Sequence, residues 1–202
     1  MDSHLISNIF ASMKLLFAQG EYRPLGEMIE ATGDFLRSGL VHDEYDVPLQ
    51  REIDHVNAYV AIQTIRFGER IEVRLRETDE GLRAALVPKY LLQPLIENAV
   101  SHGMRPHSTL HVEICVERSG EEMLVSVRDD GKGMEESAVE ALNERLRAGI
   151  ASDHIGLINV AERVNLRFGA DYGLRVESRP NGPTVVRIRL PIVWTKEGEA
   201  DV

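Results

Sequence analysis

"LLQPLIENAVSHGM", residues 91–104, sets Glu97 and Asn98 side by side inside an otherwise apolar helical pattern. Leu91, Leu92, Leu95, Ile96 and Ala99 recur at the three- and four-residue spacing of a helix packed on a core. Asn98 and His102 stand four apart and share one face, with Glu97 and Ser101 alongside. Gly103 ends the pattern as glycine commonly ends helices. Alone, the stretch reads as a core helix with a solvated polar stripe. The segments around it give that stripe a purpose.

Upstream, "LISNIFASMKLLF" puts Leu5, Ile9, Met13 and Leu16 on one stripe, with Ile6, Phe10 and Phe17 beside it. That face is wider than a lone exposed helix supports. Gly20 and Pro24 punctuate a turn, and a second helix follows with Leu25, Met28, Ile29, Thr32, Phe35 and Leu36 inward. Such a hairpin needs a partner for its apolar face, and a second copy of the chain is the natural one. Pro48 opens a third helix over 48–66, with Ile53, Val56, Tyr59, Val60, Ile62 and Gln63 in its pattern. His42 and His55 fall in or near segments read as solvated.

Downstream, "IEVRLRE", "TLHVEICVE" and "EMLVSVRD" read as strands, the last two as a hairpin across "RSGEE". Helices are expected over 135–148 and 156–168, then a final strand pair joined by "PNGP". This order predicts an α/β (α+β) chain: a helical hairpin at 1–43, then a domain at 44–195 with a mostly antiparallel sheet and helices on one face. The acidic tail 196–202 is expected to be disordered.

The composition, 43% hydrophobic and 28% charged over 202 residues, is that of a globular protein. A formal net charge of −10 argues against direct nucleic-acid binding, which needs a basic face. The lone Cys115, inside an apolar alternation, reads as a buried thiol, with no disulfide framework or CxxC metal site. No run approaches the roughly 20 apolar residues of a membrane span, and no signal-peptide pattern opens the chain. A cytoplasmic setting follows as the expectation.

Three glycine-bearing loops remain. "VRDDGKGM" follows a strand: Gly131 and Gly133 let backbone approach a planar or anionic ligand, and Asp129 can accept a hydrogen bond from an exocyclic amine. "HIGLINVAERV" sets Gly156 at a helix N-terminus, where dipole and N–H groups favour an anion. "PNGPTVVRIRLP" adds Gly182 and Thr184. Each reads equally well as a plain turn. The Asn98 amide oxygen is a hard, neutral ligand suited to Mg2+. One nucleotide accounts for all of them, with adenine at Asp129, phosphates at the Gly156 helix and metal at Asn98.

These boxes, in this order, resemble the GHKL (gyrase, Hsp90, histidine kinase, MutL) ATP-binding fold. "LIENAVSHG" is similar to its N box, "DDGKG" to its G1 box and "HIGL" to its G2 box. "LQREIDHVNAYVAIQTIRFGERIEV", "VPKYLLQPLIENAVSHG" and "GLINVAERVNLRFG" resemble the LytS-type sensor histidine kinases over nearly the whole chain. The resemblance implies a two-layer α/β sandwich (Bergerat fold) binding ATP and Mg2+. In it Asn98 binds the metal, Asp129 recognises adenine, and Gly131, Gly133 and Gly156 shape the pocket. His102, His154, Leu157 and Thr184 adjoin the nucleotide, and the residues between Gly133 and His154 form a lid. His154 stands where many kinases carry a second glycine. No Walker motif is present.

The resemblance also implies a phosphoacceptor. In the family it lies in a segment like Pro-His-Phe-Leu-Phe-Asn, and "SHLISN" stands at the matching place with His4 and Asn8 retained. Helical spacing sets His4, Asn8 and Ala11 on one side, away from Leu5, Ile9 and Met13. A neutral imidazole in water can attack a γ-phosphate. The residue after His4 is Leu5, which cannot act as base, so Glu97 is the candidate to orient the ring or a water. The implied assembly is a homodimer that serves the receiver aspartate of a response regulator. Three residues precede His4, so a signalling helix is expected from a membrane or sensory module upstream. An ATP-gated dimerisation module and an anti-sigma-type serine kinase, built on the same pocket, remain alternatives.

Overall fold

The computed structural model describes residues 3–40, 45–77, 79–149 and 155–194, and the side chains of all of these but Ser3, His4 and Leu40. Helices α1 (Ser3–Gln19) and α2 (Tyr22–Leu40) form the expected hairpin. It turns at Gly20, whose φ of 77° suits a residue without a side chain. Leu5, Ile9, Met28 and Phe35 are buried. Ile29, expected inward, is exposed, as are Phe10 and Phe17 beside the main stripe of α1, together with Leu15 and Tyr22, because one hairpin covers only one stripe of each helix.

A two-stranded antiparallel ladder, β1 (Asp46–Pro48) with β3 (Leu86–Pro88), pins the start of α3 (Leu49–Phe67). These three-residue strands are too short to show a period in sequence. The main sheet runs β2-β4-β5-β7-β6, formed by β2 (Ile71–Glu77), β4 (Leu110–Ser119), β5 (Glu122–Asp129), β6 (Gly173–Ser178) and β7 (Thr184–Pro191). Only the β2–β4 pair is parallel; the other three pairs are antiparallel.

Alternation decides the layers. Met123, Val125, Val127 and Asp129 of β5 and Thr184, Val186, Ile188 and Leu190 of β7 are buried. Over this face lie α3, α4 (Gln93–Gly103), α5 (Glu136–Ala148) and α6 (Ile155–Phe168). Arg128, Glu113 and Arg187 point the other way. Cys115, expected to be buried, falls on this open face and is half-buried, since it alternates with the inward Ile114 and Val116. Burial still pushes its thiol up. The tail 196–202 and His42 lie outside the described residues.

Candidate active site

The site is organised by α4, and α4 is aimed by the loop before it. Glu52 of α3 is buried and accepts three backbone N–H groups, from Tyr90 (2.7 Å), Leu91 (2.7 Å) and Leu92 (3.0 Å). From the opposite side Arg163 of α6 donates to the carbonyls of Lys89 and Tyr90. Carboxylate and guanidinium thus satisfy both polarities of one turn, at which Tyr90 takes a φ of 58°. Burial pushes the Glu52 carboxyl up, against the pull of its three N–H donors and Arg163.

From that turn α4 projects Glu97, Asn98, Ser101 and His102 into an open cleft of about 120 Å3, lined also by Pro94, Gly156 and Leu157. A Cβ on Gly156 would come 3.2 Å from Pro94 Cβ, so the glycine lets the start of α6 lie close against α4. Glu97 accepts a hydrogen bond from the Gln93 amide at 2.7 Å. The structure therefore brings Glu97, Asn98, His102, Gly156 and Leu157 into one place. His154 lies outside the described residues. The backbone of His4 is in the first turn of α1; Asn8 and Ala11 are exposed, as helical spacing predicted, and Leu5 and Ile9 are buried.

The other end of α4 builds the second half. Gly103 is the helix's last residue but takes no left-handed φ. Its role is contact: a Cβ on Gly131 would lie 2.3 Å from Gly103 Cα, and one on Gly103 would lie 3.0 Å from Asp129 Oδ1. Lys132 N–H donates to the Gly103 carbonyl at 3.2 Å. Gly133, at φ 68°, abuts the β6–β7 turn, where a Cβ would meet Arg179 O at 1.9 Å. Asn181 N–H donates to Lys132 O at 2.8 Å, and Met134 N–H to Ser178 Oγ at 3.0 Å. Thr184, paired across the ladder with Asp129, shares a 2.8 Å hydrogen bond with that Ser178 hydroxyl.

The two acids of the turn differ in kind. Asp129 is 4% exposed, and burial pushes its carboxyl up to about 6, although the Gly131 N–H (2.9 Å) and Arg105 favour the anion. For Asp130, burial is outweighed by backbone and ring hydrogen bonds from His111, both 2.8 Å, and its carboxyl lies below the usual range. Asp129 is the acid that can serve a ligand. Asn98 and Gly103 are five residues apart on α4, or about 7.5 Å along its axis, so the two halves lie within one nucleotide's reach.

Three polar residues at this site escaped the sequence reading: Glu52, His55 and Gln93. His55, read as solvated, is only 3% exposed. The available signal was phase, since Glu52 and His55 sit one turn before the buried Val56 and Tyr59.

Comparison with known proteins agrees with this architecture. Residues 1–71 match the family described as histidine kinase, and residues 81–193 match the histidine kinase-, DNA gyrase B-, and HSP90-like ATPase family. The chain belongs to this ATP-binding family, and its relatives are sensor histidine kinases. It is 31% identical to Sensor histidine kinase YesM of Bacillus subtilis over 95% of this chain and 32% of that protein. It is 29% identical to Sensor protein kinase HptS of Staphylococcus aureus, over 87% of this chain and 33% of the relative. It thus spans about a third of the length of the curated relatives it matches. The histidine kinase domain of the Erythrobacter litoralis EL346 blue-light activated kinase has the same fold. That likeness has a TM-score of 0.53 at 22% identity, covering 95% of this chain and 89% of that one.

Proposed function

We propose that the chain is the cytoplasmic transmitter of a two-component sensor histidine kinase. It binds Mg-ATP, transfers the γ-phosphoryl group to His4, and passes it to a response-regulator aspartate. In this reading residues 1–43 form the dimerising, phosphoaccepting hairpin and residues 44–195 the catalytic domain. The observation that carries it is the division of labour on α4, with Asn98 in a cleft against Gly156 and Gly103 in backbone contact with Gly131 beside buried Asp129.

The donor set fits the ligand. Asp129 would accept from the adenine amine, while Gly131 and Gly133, where any Cβ collides with backbone, let the turn after Asp129 close against Gly103 and Arg179 and so fix that carboxylate in place. The N-terminal turn of α6 would face the phosphates. Asn98 offers a neutral oxygen for Mg2+, which when bound neutralises charge on the phosphates. In the transfer step an N–P bond forms to the neutral His4 ring as the P–O bond to ADP breaks. The proton left on the imidazole passes to Glu97 or to a water that Glu97 orients. The exposed apolar residues of α1 and α2, Phe10, Leu15, Phe17 and Ile29, suit a four-helix pairing with a second copy. An upstream membrane anchor accords with the relatives' greater length; among the described residues no helix is long and apolar enough to cross a membrane.

Incubation with γ-labelled ATP and Mg2+ tests the reading. An acid-labile, base-stable label that His4→Gln abolishes is expected. Label on serine, or none despite tight ATP binding, defeats it. Asn98→Asp and Asp129→Asn are expected to abolish ATP binding in folded protein, and normal calorimetric affinity in both defeats the pocket assignment.

A further inference from the structure

His55 has no part in the mechanism above, yet its surroundings are built around it. Its ring stacks on Phe35 of α2 with centroids 4.5 Å apart and planes 19° from parallel, and it meets Tyr90 edge-on at 5.7 Å. Nδ1 lies 2.7 Å from Ser38 Oγ of α2, and Nε2 lies 2.6 Å from Gln93 Oε1 of α4. Gln93 in turn donates to Glu97 at 2.7 Å. Four side chains from three helices thus form one line from the hairpin to the cleft.

Donor and acceptor chemistry orients the whole line. The Glu97 carboxylate only accepts, so the Gln93 amide nitrogen faces it and the Gln93 oxygen faces His55. Nε2 of His55 must then carry the ring proton, and Nδ1 accepts from the Ser38 hydroxyl. Burial holds the ring neutral, aided by the charge of Lys89 and opposed by the Gln93 bond. At the hairpin end the line can be broken without an orphaned donor. Ser38 Oγ also lies 2.9 Å from the Asp34 carbonyl and 3.1 Å from that of Phe35, so its single hydrogen has other acceptors if α2 shifts.

We propose that His55 and Gln93 are positioning residues for phosphoryl transfer, fixing the Glu97 carboxylate according to where Ser38 of the hairpin stands. The proposal rests on the kinase reading given above and on Glu97 acting there on the imidazole proton. It gives the hairpin, which a sensory input would move, a direct polar connection to the catalytic cleft.

The test measures initial label transfer at saturating Mg-ATP alongside calorimetric ATP affinity, with folding checked by circular dichroism. Ser38→Ala and His55→Phe, the latter keeping the stack on Phe35, are expected to slow transfer about tenfold, a fraction of the 10²–10⁴ typical of a positioned base. ATP affinity is expected to stay within about twofold. His55→Gln, which restores a donor to Gln93, is expected to recover most of the rate. Placed in a Glu97→Gln background, His55→Phe is expected to add no further loss, since both act through one carboxylate. Wild-type rates in folded Ser38→Ala and His55→Phe overturn the proposal, as do losses that multiply with Glu97→Gln or that track ATP affinity. Normal transfer by Glu97→Gln alone overturns it while leaving the nucleotide pocket intact. A wild-type chain that binds ATP and takes no label defeats the kinase reading, and the proposal with it.

Discussion

Asp129→Asn is expected to stabilise the nucleotide-free protein at neutral pH while destroying the site. Burial, the largest influence on Asp129, lifts its carboxyl from 3.8 to about 6. At pH values between these two, the folded chain holds a proton that the unfolded chain has released. Stability therefore falls as pH rises through that window, and the loss is complete by about pH 7. At roughly 1.36 kcal/mol per pH unit the loss approaches about 3 kcal/mol. The amide has no such titration, and its oxygen still accepts from Gly131 N–H, now 2.9 Å away. Its unpaired N–H groups cost about 1–2 kcal/mol. The net gain at pH 7.5 is then about 1–2 kcal/mol, or roughly 2–8 °C in Tm at 2–4 °C per kcal/mol for a chain of this size. Urea titrations of both proteins from pH 4 to pH 8 provide the assay. The variant's advantage must grow with pH by about 3 kcal/mol; a constant or shrinking difference refutes the account of Asp129 as a buried, strained anion.

With Asp129 holding the adenine amine as proposed, ATP affinity is expected to fall as pH drops below about 6, because the protonated acid would no longer offer that amine a carboxylate, and calorimetry across pH 5–8 reads this directly. Glu52→Ala strips three backbone N–H groups of their acceptor and is expected to cost about 3 kcal/mol or more in denaturant titrations. Gly131→Ala drives a methyl into the Gly103 backbone, so a loss of about 1–3 kcal/mol and weakened ATP binding are expected, read by thermal melting and calorimetry.

Period-two alternation in β4, β5 and β7 placed the strands, and it also carried Asp129 and Thr184 to the covered face, in phase with Val127 and Val186. The turn at Gly131 and Gly133 was legible, but the reading assigned the glycines to close approach of a ligand, whereas here they admit the backbone of Gly103 and Arg179. Gly103 was read as a helix stop, whereas its lack of a side chain serves contact with a residue 28 positions away, and no local pattern encodes that. The strands β1 and β3 carry too few residues for periodicity. His55 was read as solvated and Glu52 and Gln93 were not singled out, although each occupies a core phase of its helix. Polar residues at core phases are legible only as a demand for partners, and partners distant in sequence become visible only in three dimensions.

Those same three residues bear on how a signal could act. One end of α4 is held by the Glu52–Arg163 grip on residues 89–92, the other by backbone contact between Gly103 and Gly131. A helix held at both ends keeps Asn98 and Asp129 in one relative placement, so the nucleotide recognition proposed for them should be insensitive to the hairpin. What α2 can change is finer. It packs on α3 through Phe35, against His55 and Tyr59, and makes polar contacts through Ser38 to His55 and through its Gly39 carbonyl, which accepts from Tyr90 Oη at 2.6 Å. Both polar contacts lead to the start of α4, near Glu97, rather than to the adenine end. Moving the hairpin would therefore alter the rate of phosphoryl transfer before it altered ATP affinity. A sensory state that changed affinity and left the rate of bound complexes untouched would contradict this layout.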